Sequence, residues 1–253
     1  MSDSLLVGDR FSVQQGTITG LNAAFLLDNA GYRALPKHEQ QFFRPAVVND
    51  TIKNGQIIPG MWVFYPYGEG LPTITSEPDL KERLPVYFQT KLNPYKEELI
   101  QRARITEAGW WRLSEHRNWQ VEWRPKISST YFGQAGSFAL DRVGDLVVVQ
   151  GYGWQPKRAG LTEQHLVAIV ATLNAPITNT LLAGVSNNLS GGQWNLSKRF
   201  VERMPLIDAQ KLPDSLLEPL THIGEQMGKG EPWDPVALDH LARKALRIGM
   251  QVS

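Results

Sequence analysis

The residue types that carry covalent or metal chemistry are sparse in this chain of 253 residues, and the few present are poorly spaced for it. There is no cysteine, which excludes disulfides, thiolate metal sites, a thiol nucleophile and redox switching together. His38, His116, His165, His222 and His240 are far apart, and no two stand at the spacing of a metal-ligand pair. A metal-dependent nuclease needs a dispersed acid and an acid-x-Lys pair; the nearest match, Asp79-Leu-Lys81, falls where a helix begins. Gly151-Tyr-Gly153 runs into Trp154 and Pro156 instead of opening a helix, so it is no dinucleotide cradle. Neither a phosphate-binding loop nor a Gly-x-Ser-x-Gly elbow occurs. The chain is better supplied with groups that recognise than with groups that react.

Two regions concentrate such groups. The segment Gln15-Gly-Thr-Ile-Thr-Gly-Leu-Asn22 offers two threonine hydroxyls, an asparagine amide and glycines that admit another backbone closely. The same groups can instead satisfy the turn's own backbone. The second region emerges only when charge is counted by segment, because a net charge of +1 averages over unlike parts. Residues 1–80 hold 5 basic and 8 acidic side chains, residues 81–126 hold 10 and 6, and residues 127–253 hold 11 and 11. The basic middle also carries Trp110, Trp111, Trp119 and Trp123. Arginine interleaved with aromatics suits a phosphate-facing surface, and it suits a solvated helix followed by core tryptophans equally well.

The elements that must position these groups are mixed. Residues 5–35, with Phe11, Val13, Ile18 and Phe25–Leu27 punctuated by glycines, read as hairpins around a central loop. Met61–Tyr65 is strand-like and is ended by Pro66 and Gly68. Leu80, Leu84, Tyr87 and Phe88 recur at helical spacing from Pro78; Pro85 and Pro94 interrupt the run, which restarts near Asn93 and carries Tyr95, Leu99 and Ile100 toward Arg102 and Arg104. Residues 119–154 are strand-rich. Thr162 reads as the cap of a helix with a stripe of Leu166, Val167, Ile169, Val170 and Leu173, and two further helices follow Leu212. The expected fold class is α+β, a curved, mainly antiparallel sheet with flanking helices, with residues 1–211 as one unit and 212–253 as a helical tail packed on it. No run approaches the roughly 18 to 20 apolar residues of a spanning helix, and no secretory leader is evident, so a cytoplasmic protein is expected.

Taken in order, several segments resemble the C-terminal target recognition domain of TaqI-like adenine-N6 DNA methyltransferases and of fused type IIG restriction and modification enzymes. The matching features are Gly16-Thr-Ile-Thr-Gly-Leu-Asn22 running to Phe25, then Phe43-Arg44-Pro45, Ile52-Lys-Asn-Gly55 and Phe64-Tyr65-Pro66. The helix of Pro94–Arg102, a Trp-rich stretch, Pro125-Lys-Ile127, Phe138-Ala-Leu-Asp141, Leu173-Asn174, Gly191-Gly-Gln-Trp194 and Arg203-Met-Pro-Leu206 continue the series. No single motif is specific; the ordered set over about residues 11–207 carries the resemblance. The catalytic half of such enzymes is missing. Asn93-Pro94-Tyr95 lacks the second proline of the motif that holds a flipped adenine, and no S-adenosylmethionine loop precedes it.

The resemblance implies a module without catalytic residues or cofactor that binds double-stranded DNA and chooses the site to be modified. S-adenosylmethionine is expected only on a methyltransferase catalytic domain or subunit, which is the second expected partner; no membrane is. The chain is then either a piece of a longer methyltransferase or a separate specificity subunit. DNA-binding residues expected on this basis are Thr17, Thr19 and Asn22 in the first loop, Arg112, Arg117, Arg124 and Lys126 in the basic middle, and Ser190, Gly192, Gln193, Lys198 and Arg199 in a second, glycine-bearing loop. The alternative from another class is a protein-binding or inhibitor module whose tryptophans form an interface, with no DNA affinity.

Overall fold

The computed structural model describes residues 4–68, 70–157, 159–189 and 191–251. Among these residues twelve strands run in chain order: β1 Phe11–Gln15, β2 Leu26–Asp28, β3 Phe43–Val47, β4 Ile52–Lys53, β5 Gln56–Ile57, β6 Met61–Phe64, β7 Lys126–Ser129, β8 Phe132–Gly133, β9 Phe138–Asp141, β10 Val147–Val148, β11 Tyr152–Pro156 and β12 Trp194–Asn195. They form two four-stranded sheets, ordered β1-β11-β7-β9 and β10-β3-β6-β2, and two ribbons, β12-β8 and β4-β5. Every pairing is antiparallel except β10 with β3. The fold is therefore α+β and mainly antiparallel, with the strands divided between two sheets where one was expected.

The N-terminal segment differs from the sequence expectation. Its strands are separated by short helices at Val7–Arg10, Asn22–Phe25 and Asn29–Ala34, and no two of them pair with each other. Strand β1 pairs instead with β11, Phe11 opposite Pro156 and Gln15 opposite Tyr152, and β2 pairs with β6. Gly16 and Gly20 stand in a loop as expected, whereas Gly8 and Gly31 lie inside helices, and the strand partners come from far along the chain.

Each sheet buries its own core. Val7, Phe11, Val13, Ile127, Phe138 and Trp154 pack beneath the helices Glu163–Leu173, Ile177–Val185, Asp214–Lys229 and Pro235–Gln251. Phe25, Phe43, Phe64, Tyr87, Trp110 and Trp111 form the second core, joined by Val147 and Val149. The first core is laid down by helix signals that the sequence carries openly. Thr162 caps its helix, accepting a hydrogen bond from the His165 amide at 3.3 Å while the His165 ring accepts one from the Thr162 amide at 3.1 Å. All residues from Leu166 to Leu173 are buried, so this helix is apolar on every side because it is covered on every side. The helix Asp214–Lys229 lies close against it at Gly224, where a Cβ would stand 2.6 Å from a Val167 methyl carbon. Among the described residues no single helix is long and apolar enough to cross a membrane.

Helices of the second core end on specific polar contacts. Ser76 caps Glu77–Arg83, and the restart at Pro85 is held by the buried Glu39 carboxylate, which accepts from the Val86 and Tyr87 amides at 2.9 and 2.8 Å. The next helix runs only from Lys96 to Ile100, so Arg102 leaves it and turns inward: its guanidinium donates to the carbonyls of Thr19, Trp110 and Arg112.

Strand β7 is buried at all four positions, including Lys126. The Lys126 ammonium donates to Asp141 Oδ2 at 2.5 Å and to the Gly144 carbonyl at 3.0 Å, while Asp141 also accepts from the Gly144 and Leu146 amides. A buried charge left without its partner is strongly destabilising. Lys126→Met is expected to lower the unfolding free energy by about 3–5 kcal/mol in urea titrations. Arg124→Ala, on an exposed neighbour, should stay within about 0.5 kcal/mol of the parent.

Candidate nucleic-acid interface

One open cleft of about 770 Å³ gathers recognition groups from four distant parts of the chain. Gln14 and Gln15 come from the end of β1, Arg117 from the turn before the short helix Asn118–Gln120 and Trp119 from that helix, Phe132 and Tyr152 from β8 and β11 with Tyr131 just before β8, and Asn195, Ser197, Lys198 and Arg199 from the far side. Among the described residues three cations, three amides and four aromatic rings line it, and no carboxylate does. Glu115 and Glu202 stand outside the lining, paired with Arg117 at 2.5 Å and Lys198 at 3.9 Å, so the surface that faces the groove is cationic while part of its charge is balanced behind it.

The local fold explains how these side chains come to face one space. Thr17 is buried; its hydroxyl donates to the His116 carbonyl at 3.0 Å and accepts from the Gln120 amide nitrogen at 2.8 Å. The Tyr65 hydroxyl donates to the same His116 carbonyl at 2.6 Å, and burial raises its pKa, keeping it protonated. Pinned from both sides, the chain turns sharply, and Arg117 adopts φ 63°. A non-glycine residue in that region is strained unless its surroundings hold it there. The Arg117 guanidinium is held as well, donating to the Gly16 carbonyl at 3.2 Å and to Gln15 Oε1 at 3.3 Å and pairing with Glu115 at 2.5 Å.

Two residues later, the Trp119 indole donates to the Gln15 carbonyl at 3.1 Å and lies across β11 at Gly153. A Cβ there would stand 2.2 Å from the ring, so only glycine lets the indole seat. On the opposite wall, β12 pairs with β8, setting Asn195 opposite Phe132 and Trp194 opposite Gly133. The loop preceding β12 is exposed at Gly191, Gly192 and Gln193; both glycines have positive φ, and the Leu189 amide closes the loop on the Gln193 carbonyl at 2.8 Å.

The structure divides the residues singled out in the sequence. Arg117, Lys198 and Arg199 meet in the cleft, and Gly192 and Gln193 sit on the exposed loop that leads into it. Thr17 and Thr19 face inward; Thr19 donates to Asn22 Oδ1 at 2.6 Å, so this loop largely satisfies itself. Lys126 is a correction: it is 2% exposed, bound to Asp141, and burial pushes its pKa down. Its ammonium has no access to a ligand. Arg112 stacks over the Trp111 ring, and Arg124 lines a separate hollow of about 450 Å³ with Arg142 and Lys157. Ser190 lies outside the described residues. Gln14, Tyr131, Phe132, Tyr152 and Asn195 were not anticipated. The aromatic pair Tyr131-Phe132 before a glycine was a signal for the β8 ribbon, whereas Tyr152 shares a strand face with the core residue Trp154, so period-two alternation assigns it to the core.

No protein-family model and no curated protein matches the chain. Among solved structures it is similar to the type IIL restriction-modification enzyme MmeI in complex with DNA, with a TM-score of 0.64 and 9% sequence identity. The likeness covers 98% of this chain and 34% of that one, so the chain spans about a third of the enzyme's length. At this identity the shared property is the fold.

The seating of Trp119 gives a test of the cleft floor. Gly153→Ala is expected to lower stability by about 1–3 kcal/mol, as overpacking does. Adding Trp119→Leu should recover most of that loss in a double-mutant cycle of thermal melts. Independent, additive effects would mean that the indole does not rest on Gly153.

Proposed function

We propose that the chain is a non-catalytic target recognition module, which selects the DNA site for an adenine-N6 methyltransferase of a restriction-modification system and uses the aromatic and basic cleft as its DNA face. The observation that carries this reading is the convergence of Arg117, Lys198 and Arg199 with three amides and four aromatics, and with no carboxylate among the described residues, in one open groove. Its fold, shared with a segment of a restriction-modification enzyme that was solved with DNA, supports it.

The chemistry divides naturally. Arginine and lysine hold phosphates, which sets register without sequence information, whereas exposed amides read base edges. A two-stranded ribbon is thin enough to enter the major groove. The β8–β12 ribbon, with Gln193 exposed at its loop, is therefore the reading element. Lys198 and Arg199 just beyond it and Arg117 across the cleft hold the backbone. Arg112 and Arg124, both exposed, extend that hold outside the cleft. Thr17, Thr19 and Asn22 shape the loop that sets Arg117, and the helices from residue 212 onward brace the sheet behind it. S-adenosylmethionine and the methyl transfer belong to a catalytic domain or subunit beside this module.

Binding to duplex DNA should fall steeply with salt, because each neutralised phosphate releases counterions. Changing Arg117, Lys198 and Arg199 to Ala together is expected to flatten the slope of log K against log salt by roughly 0.9 for each phosphate that is no longer neutralised. Fluorescence anisotropy between about 50 and 200 mM salt measures this, and salt-indifferent binding would sink the reading.

A further inference from the structure

Phe132 has no structural reason to be where it is. It is a large apolar side chain that is 48% exposed, on a strand of only two residues, at the rim of a cleft otherwise lined by polar groups and better-buried rings. Its backbone is nevertheless held firmly. The Thr130 hydroxyl donates to the Phe132 carbonyl at 2.6 Å, the Leu196 amide donates to the Tyr131 carbonyl at 3.0 Å, and Gly133 packs so tightly that a Cβ would stand 2.4 Å from Ser137 Oγ. Exposed apolar side chains are ordinary when scattered singly; what sets Phe132 apart is that its ring stands on a fixed frame at the rim of the cleft, where an apolar partner can meet it without ordering the backbone.

The cross-strand neighbour of Phe132 says which partner. Asn195 stands directly opposite it in the ribbon, so the two side chains emerge on the same face about 5 Å apart at Cβ. The Asn195 side-chain oxygen is engaged, accepting from the Ser197 amide at 2.9 Å. With the oxygen tied to the backbone, the NH2, which has no hydrogen-bond partner among the described residues, is the group the pair offers first. The pair thus presents a hydrogen-bond donor beside an apolar surface. Among the base edges of the major groove, an acceptor beside an apolar group is the signature of thymine, with O4 next to its C5 methyl. Cytosine presents a donor in that place and guanine two acceptors with no methyl.

Resting on the reading of the cleft as the DNA face, we propose that Phe132 and Asn195 read a thymine, with Phe132 packed on the C5 methyl and Asn195 donating to O4. The 253-residue chain is first selected against a randomised duplex library, and each T of the enriched motif is then replaced singly by deoxyuridine, which lacks only the methyl. At one position the replacement should weaken binding by about fourfold, the worth of one buried methyl group. Phe132→Ala should bind the T and U duplexes equally, and Phe132→Leu, which keeps an apolar side chain, should retain part of the difference. An enriched motif in which no T responds to loss of its methyl overturns the proposal, as does a Phe132→Ala variant with undiminished sensitivity; both leave DNA recognition itself standing. A chain that enriches no sequence and binds without salt dependence overturns both.

Discussion

A single buried amide joins the parts of this molecule that make up the cleft. Gln120 is 1% exposed, and its side chain donates to Thr17 Oγ1 at 2.8 Å and to the Val148 carbonyl at 3.1 Å while accepting from the Val148 amide at 2.6 Å. Its own carbonyl accepts from the buried Arg44 guanidinium at 2.6 Å. Strand β10, the loop after β1, the turn at residues 116–119 and strand β3 therefore meet on one residue. A buried polar network is costly unless every member is satisfied, and a satisfied one fixes a unique arrangement. Here that arrangement is the relation between the two sheets: Val148 lies between their cores, and Thr17 leads directly out of β1.

From that hub the functional geometry follows. Thr17 and Tyr65 fix the His116 carbonyl, the chain passes through the strained conformation at Arg117, and Trp119 is delivered onto Gly153. The strain and the glycine are both local departures from what a stable fold alone prefers, and both sit where the cleft has its cation and its aromatic floor. The opposite wall is built independently by the β8–β12 ribbon. Recognition from such a groove relies on side chains set in advance, because few rotamers then remain to be frozen when a ligand arrives.

Local signals in the sequence were legible wherever the physics is local. The cap at Thr162, the apolar stripe after it, the helix expected around Pro78 and the two helices after Leu212 all depend on neighbours within a few residues. The pairing of β1 with β11 links residues some 140 positions apart, and no periodicity announces it. Lys126 shows the same limit in a single residue. Charge counting placed it on a basic surface, whereas Asp141, fifteen residues onward, draws it into the core. Arg117, Lys198 and Arg199 were identifiable by type, but their meeting in one groove depends on the Gln120 hub for one wall and on the β8–β12 ribbon for the other. Phe132 and Asn195 become a pair only through the ribbon register.

Likeness in fold to a third of a restriction-modification enzyme at 9% identity means that the scaffold is shared while almost every side chain differs. The proposal adds to that shared scaffold a DNA face made of the residues that line the cleft. Amide hydrogen exchange of the whole chain at low salt, with and without duplex DNA, tests that directly. Protection is predicted to be strongest in residues 13–15, 117–119, 131–133 and 193–199, and weaker beside Arg124 in the hollow it shares with Arg142. Protection confined to that hollow or to the C-terminal helices, or none anywhere, would contradict the assignment of the cleft as the DNA face.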